Sequence, residues 1–196
     1  MKTKQHFLSQ IPRYAILSEN DVLAAEDSFH LSIHAKHELL LKTGQICRLL
    51  YFNCRGLVRS FLDTEDSKVL WYEFENSFFT DVTSFFTKEP SGANIEVLEG
   101  DTTLLSISLD DLNRLFEKNH KWAFWGTRLQ QYEFVKLTNH YENLRIKDAS
   151  ERYHRLIEMY PQILQRASLG GIASYLGISQ VSLSRIRAGK QKKDAF

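Results

Sequence analysis

Leu169-Gly-Gly-Ile-Ala-Ser-Tyr-Leu-Gly-Ile-Ser-Gln-Val-Ser-Leu-Ser-Arg-Ile-Arg187 is the stretch on which the fold turns. Two short helices packed at a steep angle need a small residue at the crossing, Gly in the turn, and apolar residues where the helices face each other or the core. All three are present. Ala173 is the small crossing residue, with Ile172 and Leu176 as core contacts beside it, and Gly177 stands where the turn needs a left-handed backbone. Ile178 packs beneath the turn, Ser179 is placed to cap the second helix, and Leu183 and Ile186 keep one face of that helix inward. The spacing predicts a helix-turn-helix whose second helix spans about residues 179–188.

Elimination then assigns the outward face of the second helix to Gln180, Val181, Ser184 and Arg185, with Ser182 and Arg187 on its flanks. Gln pairs bidentately with adenine and Arg with guanine, while Val181 suits a thymine methyl, so these four outward residues are the expected base contacts. Ser179, Ser182, Arg187, Lys190, Lys192 and Lys193 suit phosphates, which position a helix and specify nothing. One local feature opposes the motif. Gly170-Gly171 lies in the first helix, and two glycines cost about 2 kcal/mol against two alanines, so a frayed or late-starting first helix is expected.

Charge follows the same boundary. The 196 residues carry 25 Lys+Arg against 24 Asp+Glu, a net +1 that argues neither for nor against a polyanionic partner. Residues 150–196 alone hold 8 basic residues against 3 acidic, or +5, which leaves the rest of the chain at −4. Such asymmetry points to a polyanion-binding end. At 43% apolar and 25% charged residues the chain reads as globular. It has no membrane-length apolar run and no signal peptide, which predicts a cytoplasmic protein with no membrane partner. Cys47 and Cys54 are too few for a disulfide framework and lack zinc-ligand spacing, so buried or half-buried thiols are expected.

Upstream of the motif, short apolar or alternating runs read as strands: residues 37–41, 48–52, 56–62, 68–74, 93–98 and 102–108. Turn clusters such as Asn53-Cys-Arg-Gly56 and Glu99-Gly-Asp101 separate them, a texture that suggests a sandwich or barrel-like roll. A short helix from Ser18 or Asn20 toward Phe29 is expected before the roll. From Asp110 to Ile146 apolar residues recur at helical spacing, and Phe134, Leu137, Tyr141 and Leu144 share one stripe. That stripe predicts a long helix packed on a second copy, the alternative being that it lies on its own roll. Asp148 with Glu151 reads as a capping box opening a further helix, which Pro161 stops after Tyr160.

Taken together, Arg152-Tyr153, Tyr160-Pro161, Ile172-Ala-Ser-Tyr-Leu-Gly-Ile-Ser179 and Leu183-Ser-Arg-Ile-Arg187 resemble the C-terminal domain of Crp/Fnr-type bacterial transcription regulators. The order of roll and long helix before them is similar to the sensor domain and dimerisation helix of that family. The resemblance implies an α+β chain: a cyclic-nucleotide-binding-like jelly roll over residues 1–117, a connecting dimerisation helix over 118–147, and an all-α helix-turn-helix domain over 148–196. The chain stops some ten residues after the second helix of the motif, so a full wing is not expected. The resemblance further implies a homodimer on a pseudo-palindromic double-stranded DNA site that recruits or blocks RNA polymerase. Family base contacts fall here at Gln180, Val181 and Arg185; only the Arg keeps the commonest identity, so a different site should be read.

Family members that bind cyclic AMP place a Gly-Glu-Leu turn and a Pro-Arg-Ser/Thr segment against the sugar and cyclic phosphate. The nearest matches here are Thr80-Asp81-Val82 and Pro90-Ser91-Gly92. The missing phosphate-gripping Arg removes a charge-assisted contact worth about 1.5–3 kcal/mol or more. Thr80, Asp81, Val82, Ser91 and Gly92 therefore mark a degenerate effector pocket with no expected affinity for cyclic AMP. The iron–sulfur cysteine cluster of the oxygen-sensing branch is also missing. Trp71, Tyr72, Phe74, Phe78, Phe79, Phe85 and Phe86 either line a pocket for an apolar effector or form core. No cofactor, metal or catalytic group is expected.

Two other classes compete. His30, His34, His37 and Glu38 faintly resemble the histidine and glutamate cluster of cupin metalloenzymes, although strand alternation lets His30 and His34 converge and turns His37 away. The helical end could instead bind another protein, which salt dependence of binding separates from DNA contact.

Overall fold

In the computed structural model, residues 4, 8, 9, 11, 17–64 and 67–193 are described, the side chains of residues 144 and 190–193 excepted. Eight strands form the first half: β1 (His30–His34), β2 (Leu39–Leu41), β3 (Leu49–Arg55), β4 (Val58–Phe61), β5 (Val69–Glu73), β6 (Ser77–Phe79), β7 (Asn94–Val97) and β8 (Thr102–Ser108). They pair antiparallel as two four-stranded sheets, ordered β1-β8-β3-β6 and β2-β7-β4-β5. The central strands β3 and β8 are buried almost throughout, because the second sheet covers one face and helices cover the other.

Two of these strands escaped the sequence reading. β1 is an edge strand with its histidines exposed or half-buried, and β6 has three residues, too few to show a period. The expected strand 37–41 begins only at Leu39, since His37 takes a left-handed turn at φ 68°.

Helices α1 (Glu19–Leu23) and α2 (Val82–Thr87) are short; Ser18 and Asp21 cap α1 reciprocally, and Asp81 caps α2. The former ends at Leu23 and gives way to a 3-10 turn at Glu26–Ser28 instead of running toward Phe29. The helical spacing over 110–146 resolves into two helices, α3 (Leu109–Lys118) and α4 (His120–Leu144), the second lying within the 118–147 expected for the connecting helix. Asn119 breaks it with an extended backbone, capping α4 while donating a 3.1 Å hydrogen bond to Asp21 Oδ1. Lys121 Nζ and the Trp122 indole also reach Asp21, so α1 anchors the break. Gly126 lets the two helices meet: a Cβ there would stand 2.5 Å from the Phe116 ring.

Trp122, Trp125 and Leu129 bury the first half of α4 in the core of the roll. Further along, Phe134, Leu137 and Tyr141 are 70%, 62% and 61% exposed, so that stripe does not lie on its own roll, although Lys136 on another face of the same half donates to both carboxylate oxygens of Glu73 on β5. No helix among the described residues is long and apolar enough to cross a membrane.

Four helices follow: α5 (Ala149–Met159), α6 (Ile163–Arg166), α7 (Leu169–Leu176) and α8 (Gln180–Lys193). Asp148 caps α5 through the Ser150 amide, while Glu151 pairs with Arg155 one turn on. Tyr153, Leu156, Ile163, Ile172, Ala173, Leu176 and Leu183 form a second core, and it includes Leu57, Val69, Tyr72 and Phe74 of the roll. The fold is thus an antiparallel sandwich followed by helices that close over its β5 edge.

The glycine pair acts differently from expectation. Helix α7 starts at Leu169 with Ser168 accepting from the Gly171 amide, so neither glycine delays it. A Cβ on Gly171 would stand 2.5 Å from the Tyr72 hydroxyl, whereas one on Gly170 would meet only the amide end of the exposed Gln180 side chain. Gly171→Ala must displace a packed ring, at a cost of about 1–3 kcal/mol. Gly170→Ala should leave stability unchanged or raise it by up to about 1 kcal/mol. Urea denaturation of both variants checks the contrast, and equal midpoints would contradict it.

Candidate nucleic-acid interface

The turn between α7 and α8 is built by Gly177, whose φ of 66° is left-handed with open space around its Cα, so conformation and not crowding demands glycine. Its amide bonds the Ser174 carbonyl, and the Ile178 amide bonds that of Ala173. Ser179 then accepts from the Ser182 amide at 3.1 Å, the capping role its position suggested. Leu183 is fully buried and Ile186 packs on the same core.

That rotation leaves Gln180, Val181, Ser184, Arg185 and Arg187 exposed together on α8, with Ser182 half-buried and bonded to Ser179. The base-contact candidates thus share one face. The helix runs to Lys193, longer than the expected 179–188, and this carries residues 190–193 into it. The side chains of Lys190, Lys192 and Lys193 lie outside the described residues, so their contacts are not part of the site's geometry.

Much of the local positive charge is engaged within the fold. Arg152 donates to the carbonyls of Leu176, Ile146 and Lys147, holding α5 to the end of α7 and to the connection from α4. Arg155 pairs with Glu151 and bonds Asn143. Arg166 is gripped by Glu75 and Glu99 of the roll. Burial works against ionisation of Glu75, yet the bonds from Arg166 hold its carboxyl below the usual carboxylate range. None of these three contacts was legible in the charge count.

At the degenerate pocket the polar groups satisfy one another. Asp81 accepts from the Ser84 amide and from the Ser91 hydroxyl at 2.5 Å, Ser91 also accepts from the Ala93 amide, and Thr80 donates to the Leu49 carbonyl. Val82 is 62% exposed, and Gly92 is exposed beside buried Ser91. The aromatic cluster divides between the two cores. Phe78, Phe79 and Phe85 lie in the roll, Tyr72 and Phe74 face the C-terminal helices, Trp71 is half-buried, and Phe86 is exposed. Most of it is core and not pocket lining.

Two of the three histidines are occupied by carboxylates: His34 Nδ1 lies 2.8 Å from Glu38 Oε1, and His37 Nδ1 lies 2.8 Å from Glu96 Oε1. Among the described residues no three His, Cys, Asp or Glu side chains converge to hold a metal. Both cysteines are buried, and burial pushes the Cys54 thiol up to about 12. Cys54 should therefore resist iodoacetamide at pH 8 in the folded protein and react once it is unfolded; mass spectrometry of native and denatured samples tests this, and equal labelling would contradict it.

The family profile of the cyclic nucleotide-binding domain matches residues 33–119, less than half of the chain. Along nearly its whole length the chain has the fold of Crp/Fnr-type regulators of known structure. It is similar to CLP of Xanthomonas campestris, described as a c-di-GMP responsive global regulator linking cell–cell signalling to virulence gene expression; the TM-score is 0.70 at 15% identity, over 90% of this chain and 93% of that one. FixK2 of Bradyrhizobium japonicum gives 0.67 at 16% identity over 85% and 86%. A Crp/Fnr-family transcriptional regulator of Eubacterium rectale gives 0.66 at 16% identity over 92% and 88%. No protein of curated function matches the sequence significantly.

Proposed function

We propose that this chain is a sequence-specific DNA-binding transcription regulator of Crp/Fnr type and not an enzyme. The observation that carries the reading is the α8 face, where Gln180, Val181, Ser184 and Arg185 are all exposed while Leu183, on the opposite side, is fully buried. This helix enters the major groove, these four residues contact base edges, and Ser179, Ser182, Arg187 and the lysines at 190, 192 and 193 contact phosphates.

Residues 1–117 form the sensor domain, 118–147 the connecting helix, and 148–196 the reading domain. The exposed stripe of Phe134, Leu137 and Tyr141 on α4 supports a homodimer, which requires a pseudo-palindromic site. RNA polymerase is the further partner, and the protein works in the cytoplasm. The sensor does not respond to cyclic AMP: Asp81 and Ser91 close on each other, and no Arg stands where the cyclic phosphate needs one. Another small-molecule effector is compatible with the roll.

Fluorescence anisotropy with random duplex across a salt series tests the reading. Affinity should fall steeply between about 50 and 200 mM salt as counterions are released. Absence of binding even at low salt would instead favour a protein-interaction module.

A further inference from the structure

Around Arg166 the reading helices are bolted to the roll of their own chain. Arg166 Nε and Nη2 donate to Glu99 at 2.7 and 2.6 Å, and Nη1 and Nη2 donate to Glu75 at 2.9 and 2.6 Å. The guanidinium lies over the Phe74 ring, 5.4 Å from its centroid, and its side chain is only 15% exposed. Glu75 in turn accepts from the Gly56 amide, which ties the cluster to the turn between β3 and β4. A fork held by two carboxylates fixes orientation as well as distance.

Two further contacts exclude rotation about that point. The Val69 amide on the free edge of β5 donates to Ser174 Oγ of α7 at 3.0 Å, and the Tyr72 hydroxyl fills the space above Gly171. Between them runs the shared apolar core. Against this, the direct link from α4 to α5 is only the four residues 145–148. Arg152, Arg155 and Tyr175 brace the C-terminal helices against the end of α4 and its link, and the Arg166 cluster adds the charged attachment to the roll itself.

We infer that Arg166 is a positioning residue: clamped by Glu75 and Glu99, it locks the reading unit to its own roll, so that a dimer presents its two reading helices at one fixed separation and accepts one half-site spacing. This rests on the DNA-binding reading above. The clamp stands apart from the α8 face, so it governs geometry between half-sites and not contact within one.

The test uses full-length protein and duplexes carrying two copies of the half-site recovered with wild-type protein, with their separation varied by two base pairs either way, beside a duplex with one half-site. Wild-type affinity should drop about 100-fold off the optimal spacing, as two-point engagement is lost. Arg166→Ala should flatten that penalty to within about fivefold while keeping single half-site affinity within about twofold, with Arg166→Lys between, because a point charge replaces the fork. Glu75→Gln combined with Glu99→Gln opens the same clamp from the roll and serves if Arg166→Ala misfolds.

A spacing penalty that persists in these variants would overturn the inference. So would equal losses on single and paired half-sites, the mark of a merely structural role. Trypsin cleavage at Arg145 and Lys147 without DNA gives a separate arm: it should accelerate about tenfold in Arg166→Ala as the reading unit comes free. An unchanged rate would overturn the clamp. If wild-type protein binds no duplex while cleavage still accelerates, the clamp stands and the DNA-binding reading falls.

Discussion

Arg185→Ala should weaken binding to the preferred site by about 1–3 kcal/mol per half-site, roughly 5- to 150-fold, and relax preference at one base pair in each half. Arg185 is exposed on the face it shares with Gln180, Val181 and Ser184 and has no ion-pair partner among the described residues, so truncation leaves the protein core untouched. Arg187 sits on the flank and serves as the control. Its loss should weaken all sequences alike and reduce the salt slope by about 1 for each phosphate contact removed. Competition binding with single-base variants of the recovered site measures both effects. An Arg185→Ala protein that keeps full discrimination would remove Arg185 from base recognition.

The second large effect concerns α4. Phe134→Asp combined with Leu137→Asp should convert a dimer into a folded monomer and lower affinity for the paired site by about 100-fold or more, because two-point engagement is lost. Both side chains are more than 60% exposed within the chain, so the roll and the reading helices have no reason to unfold. Sedimentation together with circular dichroism separates the outcomes. A wild-type monomer, or a variant that stays dimeric, would remove the stripe from the dimer interface.

The α7–α8 unit was legible because its constraints are local. Ala173, Gly177, Ser179 and Leu183 lie within eleven consecutive residues, and each has one stereochemical task that its residue type announces. The roll was partly legible for the same reason: strands with several apolar residues show a period, and three-residue β6 does not. What escaped is contact between distant segments. The break at Asn119 is held by Asp21, 98 positions earlier, and its one local mark is Asn119 itself, a residue type that favours helix N-caps. Ser174 and Val69 lie 105 positions apart, and Arg166 meets Glu75 across 91.

Charge shows the same limit. The +5 of residues 150–196 counts Arg152, Arg155 and Arg166 as though all faced solvent, yet each is engaged within the chain. Only Arg185 and Arg187 are left on the exposed face of α8 among the described basic side chains. Gly170-Gly171 carries a related lesson. Propensity alone made the pair a weakness, whereas Tyr72 turns Gly171 into a packing requirement set by the roll.

Selection from a randomised duplex library with purified full-length protein tests the central claim most directly. The account predicts recovery of an inverted repeat whose half-sites lie about one helical turn apart, with the strongest constraint at the base pairs that Gln180 and Arg185 reach. Recovery of no common sequence, from a protein that also fails to bind duplex at about 50 mM salt, would contradict it.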